Sequence, residues 1–213
     1  VTTSKGIEVE YDICIFATGS KAFVLPIPGS NLPSVIGWRT IDDTNKMIEI
    51  AQTKKRAVVI GGGLLGLECA RGLLDQGMEV TVLHLADWLM EMQLDRKAGE
   101  MLKADLEKQG MKIELQANSK EIIGDKDVEA IKLADGRVIE TDLVVMAVGI
   151  RPYTEVAKDS GLDVNRGIVV NDYMQTSDSH IYAVGECAEH DGKVYGLVAP
   201  LYEQGKVLAD YLT

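Results

Sequence analysis

The stretch AVVIGGGLLGLECARGLLDQGMEVTVLHL, residues 57–85, narrows what this chain can fold into more than any other part of it. Strand-forming residues run into consecutive glycines, apolar residues then recur at helical spacing as far as Gly77, and a second apolar run follows. Strand, tight turn, helix and strand within about 30 residues make a βαβ unit, whose two strands must lie parallel. A parallel sheet is covered on both faces, so the chain is expected to be an α/β protein with a layer on either side of a sheet.

The glycines carry the first chemical signal. Gly61, Gly63 and Gly66 form a G-x-G-x-x-G pattern, with Gly62 also glycine and Leu64 and Leu65 between the last two. The first glycine permits a tight turn, the second lets backbone approach a pyrophosphate, and the third lets helix pack on strand while the helix N-terminus faces the anion. Alone the pattern is weak; following a strand and opening an apolar helix, it implies dinucleotide binding. The fingerprint expects an acid about 20 residues on, to hold the adenosine ribose. His84 stands there instead, as a contact to a ribose hydroxyl or, protonated, to a 2′-phosphate, or as a surface histidine at a strand end, so it does not itself decide between NADH and NADPH. From Glu79 to Asp95 there is no Lys or Arg, but there are Glu79, Asp87, Glu91 and Asp95. A 2′-phosphate would find no arginine clamp there, so NAD(H) is favoured over NADP(H). Glu68, two residues past the loop, either answers the helix dipole or serves near the nicotinamide.

Residues 7–17 read as a strand ending in ICIFA and broken at Thr18 and Gly19, and Pro26, Pro28 and Pro33 mark a linker. Thr40 with Asp43 three residues later caps a helix through about Gln52. Asp95 to Gln109 is a second helical stretch. Short strand-like segments around 111–115, 120–123, 128–133 and 137–140, with ADGR as a turn, suggest an antiparallel hairpin crossing over the main sheet. YDICIFATGS at 11–20 and TDLVVMAVGI at 141–150 both run Asp, four apolar residues, Ala, one residue, Gly. Two such copies bracketing one βαβ unit suggest a nested pair of related domains.

The formal charge of −11 over 213 residues excludes a nucleic-acid backbone as partner, since that needs a basic face. No apolar run approaches the roughly 18 residues of a membrane span. Cys14, Cys69 and Cys187 lie far apart, without disulfide, cluster or zinc spacing, so reduced thiols and no metal are expected. Near the end, IYAVGECAEH stops an apolar strand at Gly185 and Glu186, where a turn at a sheet's carboxyl edge could hold a polyol.

Together the glycine loop, the twin strand ends and the late YAVGE turn resemble the two-dinucleotide-domain flavoprotein reductases of the pyridine nucleotide-disulfide oxidoreductase superfamily. Within it, the segment NRGIVVNDYMQTSDSHIYAVGECAEHDGKVYGLVAPLYEQGKVLA is similar to the large subunits of assimilatory NAD(P)H nitrite reductases, on Glu186, Cys187 and YGLVAPLYEQ. The resemblance implies a Rossmann-like three-layer NAD(P)-binding domain over 33–150, inserted in a partial FAD-binding domain over 1–32 and 151–213. It implies that Ala17, Thr18 and Gly19 lie near FAD, that Gly61 to Gly66 hold the NAD(P) pyrophosphate, and that Val148 and Gly149 pass the nicotinamide. Gly185 and Glu186 would hold the flavin ribityl and phosphate region, with Val198, Pro200 and Leu201 approaching the isoalloxazine. Hydride would pass from NAD(P)H to FAD and electrons onward to a sirohaem and iron-sulfur domain downstream in the same full-length chain, in cytoplasmic nitrate assimilation. An NADH-dependent ferredoxin or rubredoxin reductase or NADH oxidase is the second reading, and a nucleotide-binding module without turnover the third.

That family's FAD domain opens with its own glycine loop, and none precedes Val1. The chain is therefore expected to be a fragment with a whole NAD(P) domain and weak or absent FAD binding. Apolar faces around 11–17 and 181–184 are expected to lack sheet partners and to favour a homo-oligomer.

Overall fold

A computed structural model describes residues 1–213 and divides them into two units, Ala22–Gly149 and a discontinuous unit of Val1–Lys21 with Ile150–Thr213. The chain begins with β1 (Cys14–Phe16) and β2 (Ser20–Ala22). It continues through β3 (Val35–Gly37), α1 (Ile41–Ala51), β4 (Arg56–Ile60), α2 (Leu64–Asp75), β5 (Glu79–Leu83), α3 (Arg96–Lys108) and β6 (Lys112–Glu114). Then come β7 (Ser119–Ile123), β8 (Ala130–Leu133), β9 (Val138–Glu140) and β10 (Leu143–Met146). The remainder holds β11 (Ile150–Pro152), α4 (Glu155–Asp159), β12 (Ile168–Val170), β13 (Ile181–Ala183), a single 3₁₀ turn, β14 (Ala188–His190), β15 (Lys193–Val194) and α5 (Val198–Leu212).

In the contiguous unit five strands pair in parallel in the order β3-β10-β4-β5-β6. Because side chains alternate across a strand, Val59, Val80, Val82, Leu143 and Val145 meet the helices on one face, packing on Met47, Leu67, Ala70 and Leu73. Val58, Ile60, Leu83, Val144 and Met146 point to the other face and meet Ile122, Ile131 and Leu133 of the antiparallel sheet β7-β8-β9. The result is three layers, helices, parallel sheet and antiparallel sheet, with the expected hairpin lying across the main sheet. Each fully buried Val or Leu of these strands contributes roughly 1.5–3 kcal/mol, which fixes the sheet that presents the glycine loop.

The caps lie where the sequence puts them. The Thr40 hydroxyl accepts from the Asp43 amide and the Asp43 carboxylate accepts from the Thr40 amide, a full capping box. Asp95 accepts from the Ala98 amide at 2.8 Å and starts α3. One clamp has no such local signal: Asp142 accepts from the Arg56 amide at 2.9 Å and from the Arg56 guanidinium, which also meets Glu140. That pairing, its strongest contact being the Arg56 side chain, holds the Asp142 carboxyl below its usual range and locks the starts of β4 and β10 together.

In the discontinuous unit β1 pairs with β13 in parallel, Cys14 opposite Ile181 and Phe16 opposite Ala183. The strand expected over 7–17 is confined to Cys14–Phe16, with an isolated antiparallel bridge from Thr2 to Glu8. Ile7, Val9, Tyr11 and Ile13 remain exposed, so nothing stabilises an extended ladder before β13 supplies a partner. The face at 181–184 is not open as expected: Ile181, Tyr182 and Ala183 are buried against Ile168, Cys187 and Leu208. The twin strand ends share a geometry, since Gly19 (φ 67°) and Gly149 (φ 105°) both turn in the left-handed region after their strands. No helix is long and apolar enough to cross a membrane.

Candidate functional site

A cavity of about 570 Å³ opens in the contiguous unit at the carboxyl ends of β4, β5 and β10, the place where open parallel sheets bind ligands. The glycine loop forms its floor. Gly61 turns with φ 121°, and a Cβ there would lie 2.3 Å from the Ala147 carbonyl oxygen. A Cβ on Gly66 would lie 1.9 Å from the Gly61 carbonyl, so α2 sits directly on the loop. Gly63 differs: a Cβ there meets nothing within 4 Å. It is also the N-cap of α2, without a side-chain cap, and the first bond into the helix runs from the Leu67 amide to the Gly63 carbonyl. The amides of the first turn therefore precede the helix ladder and carry its positive end toward the cavity.

Two further features bear on what the cavity can hold. Ser119 lines the cavity, and its buried hydroxyl is without a hydrogen-bond partner, a cost that a ligand would remove. The walls are mainly apolar, with Phe23, Leu25, Leu64, Leu85, Met92 and Val148 among them, and no Lys or Arg among the lining residues.

The structure brings Gly61, Gly62, Gly63, Leu64, His84, Val148 and Gly149 into this one cavity. Leu65 and Gly66 follow on the first turn of α2, outside the lining, and Glu68 is exposed on that helix. His84 is not a surface group. It is buried, its Nδ1 accepts from the Gly62 amide at 3.0 Å, and its Nε2 lies 2.9 Å from Glu91 Oε2. With Nδ1 accepting, Nε2 carries the proton and donates to Glu91. Both ring nitrogens are thus committed to protein partners. The Gly62 carbonyl accepts from the Met90 amide at 3.0 Å, with Met90 at φ 58°, so the segment after β5 is pinned to the loop from both sides. Sequence reasoning gave Glu91 only as one of four acids; no spacing rule links it to His84, because the intervening segment curls back rather than continuing as strand or helix.

The other candidates lie in the discontinuous unit. Ala17 is exposed, Thr18 donates from its hydroxyl to the Tyr153 carbonyl at 2.9 Å, and Gly19 follows in the left-handed turn. Gly185 opens the 3₁₀ turn after β13 with φ 87°, and its amide donates to Gln204 Oε1 at 2.8 Å. Glu186 accepts from the Ser20 hydroxyl at 2.8 Å. Val198 is exposed at the start of α5, Leu201 is half-buried, and Pro200 lines a second hollow of about 400 Å³ with Asp172, His190, Tyr195 and Gln204. Glu189, missed by the sequence reading, is buried and accepts from the Arg166 and Gly167 amides at 2.7 and 2.8 Å. Burial opposes its charge, but the Gly167 amide, the Asn165 side chain and the Arg166 amide together hold its carboxyl below the usual range. All three cysteines are free thiols; burial pushes Cys69 up to about 12, and the Cys187 thiol donates to the Val184 carbonyl. No cluster of three His, Cys, Asp or Glu side chains converges.

The family model for pyridine nucleotide-disulphide oxidoreductases matches residues 1–205. Over 202 residues the chain is 60% identical to the NAD(P)H nitrite reductase of Bacillus subtilis, covering 95% of this chain and 25% of that one. It is 49% identical over 212 residues to the assimilatory nitrate reductase electron transfer subunit of the same organism, covering the whole chain and 28% of that protein. Among solved structures, a ferredoxin reductase from Rhodopseudomonas palustris superposes with a TM-score of 0.92 at 30% identity, over 98% of this chain and 54% of that one. The chain thus spans about a quarter of the length of these curated relatives.

Proposed function

Because the chain belongs to the pyridine nucleotide-disulphide oxidoreductase family, we propose that it is the nicotinamide-nucleotide and flavin portion of an NAD(P)H-dependent nitrite reductase large subunit. The observation that carries the reading is the cavity floor: bare Gly63 and the uncapped first turn of α2, open to a 570 Å³ hollow at the carboxyl edge of a parallel sheet. The 60% and 49% identical relatives, named for nitrite reduction and for electron transfer to nitrate reductase, support the same reading. When bound, the nicotinamide supplies a hydride and the flavin accepts it and releases electrons singly.

This chain's residues do the placing. Gly62 has both backbone groups engaged by protein, so pyrophosphate oxygens would be held by the amides of Gly63, Leu64 and Leu65. Gly66 keeps α2 close enough for those amides to converge. Val148 and Gly149 would flank the nicotinamide, where the open left-handed turn at Gly149 lets a flat ring approach backbone. The apolar walls would exclude water from the transfer. We assign the contiguous unit Ala22–Gly149, whose Phe23 and Leu25 line the cavity, to NAD(P) binding, in place of the boundary at residue 33, and Val1–Lys21 with Ile150–Thr213 to the FAD-binding part. There Ala17 to Gly19, Gly185, Glu186 and the start of α5 from Val198 through Pro200 to Leu201 would face the flavin. A sirohaem and iron-sulfur domain of the full-length protein, in the cytoplasm, would take the electrons.

Calorimetric titration with NADH and NADPH, with an absorbance scan of the same sample, tests this. NADH binding without a flavin spectrum is expected of residues 1–213 alone. No binding of either nucleotide would refute the assignment of the cavity.

A further inference from the structure

The proposed nucleotide site lacks one part that its own geometry calls for: a group to hold the adenosine ribose. An acid at the end of the second strand usually serves, but His84 stands there, buried, with both nitrogens used. Four acids lie between residues 79 and 95, and the structure disposes of three. Glu79 begins β5, at the opposite end of the strand from the loop. Asp87 is taken by Gln116 at 2.7 Å and Arg96 at 2.9 Å. Asp95 caps α3. Glu91 alone lines the cavity.

Glu91 is also held there. Its Oε2 accepts from His84 Nε2 at 2.9 Å. Its Oε1 has no protein partner, and about a third of its side chain stays open to solvent. Gly62 grips the segment from two directions, through His84 and through the Met90 amide, so the carboxylate and the phosphate-binding loop keep a fixed relation. No Lys or Arg lines the cavity to compensate an added phosphate.

We propose that Glu91, positioned by His84, is the residue that binds the adenosine ribose of the dinucleotide and discriminates NADH from NADPH. Oε1 accepts from the ribose 2′-hydroxyl, and the same negative charge repels a 2′-phosphate. The acid stands in the loop beyond the strand end, and the histidine at the strand end orients it. This rests on the reading of the cavity as the nicotinamide-nucleotide site.

The test is binding, on the full chain, of NADH, NADPH and 2′-deoxy-NADH to the wild type, to Glu91→Gln and to His84→Asn. A hydrogen bond to a charged partner is worth about 1.5–3 kcal/mol, or roughly 10- to 150-fold in affinity. Wild type should therefore bind NADH at least about 10-fold tighter than either NADPH or 2′-deoxy-NADH. Glu91→Gln should lose most of that preference, and removing the hydroxyl should then cost little more. His84→Asn keeps an acceptor for Gly62 but no donor for Glu91, and the NADH-to-NADPH ratio should fall while the fold holds. NADH binding that ignores both Glu91→Gln and the missing 2′-hydroxyl would overturn the proposal while leaving the site itself in place. Failure of the wild type to bind any of the three nucleotides would instead remove the reading on which it rests. Should Glu91→Gln fail to fold, His84→Asn decides instead: the proposal stands if this variant loses the preference for NADH over 2′-deoxy-NADH and falls if it keeps it.

Discussion

Replacing His84 with Ala perturbs the loop without touching a glycine. The ring is buried, and its Nδ1 is the acceptor for the Gly62 amide. Truncation leaves that amide buried without a partner, which costs about 1–3 kcal/mol. It also opens a void against Gly62, whose Cα lies so close that an added Cβ would be 2.7 Å from the ring; incomplete collapse adds about 1 kcal/mol or more. The pair with Glu91 is partly solvent-exposed and adds little. The expected total is on the order of 3 kcal/mol. Both tryptophans, Trp38 and Trp88, lie in the unit Ala22–Gly149, so tryptophan fluorescence in urea follows that unit alone. With a slope near 2 kcal/mol/M, the midpoint should fall by about 1.5 M. His84→Asn places an amide oxygen near the position of Nδ1 and should recover more than half of the loss. An unchanged midpoint for His84→Ala would refute the view that the histidine supports the loop. Equal losses in the two variants would show that ring volume matters and the Gly62 bond does not.

Gly61→Ala should be severe, because its Cβ would lie 2.3 Å from a backbone carbonyl at a φ of 121°; loss of folded protein, or of all NADH binding in a calorimeter, is the expected result. Glu189→Gln tests the buried carboxylate in the other unit. Its folded pKa is lowered, so its stabilising contribution is full above the unfolded value of about 4.3 and is lost as pH falls through the lower folded value. The melting temperature of the variant should therefore lie below wild type at pH 7 and approach it toward pH 3, and a gap that stays constant with pH would argue against ionisation as the cause.

The elements that sequence made legible are those with local rules. Thr40 and Asp95 are caps whose partners lie three residues away, and the glycine spacing carries its own steric reasons, which the contacts of Gly61 and Gly66 repeat. The repeat around Gly19 and Gly149 was legible for the same reason, as a strand followed by a left-handed turn. What stayed hidden depends on chain segments that meet only after folding. Over 7–17 alternation shows an apolar face and says nothing about whether a partner strand reaches it, and the ladder forms only at Cys14–Phe16. His84 was placed correctly at its strand end, but its partners, Gly62 and Glu91, are set by a curling segment with no period. Glu189 gave no signal at all, since its ligands are two backbone amides more than twenty positions upstream.

The pairing of β1 with β13 bears on the order in which the molecule assembles. Ser20 and Glu186 are hydrogen-bonded although 166 positions apart, and the unit they belong to has contributions from both ends of the chain. Closing so long a loop of disordered chain is entropically unfavourable and slow. The residues between, Ala22–Gly149, form a unit of their own whose sheet and helices are complete without either flank. Once that unit is compact it stands in for most of the loop, and the two outer segments need to search only a short distance to meet. During synthesis β1 must therefore wait for its partner strand until the chain has been made past residue 181. For that interval its backbone groups are unpaired, an edge open to chaperones and to aggregation.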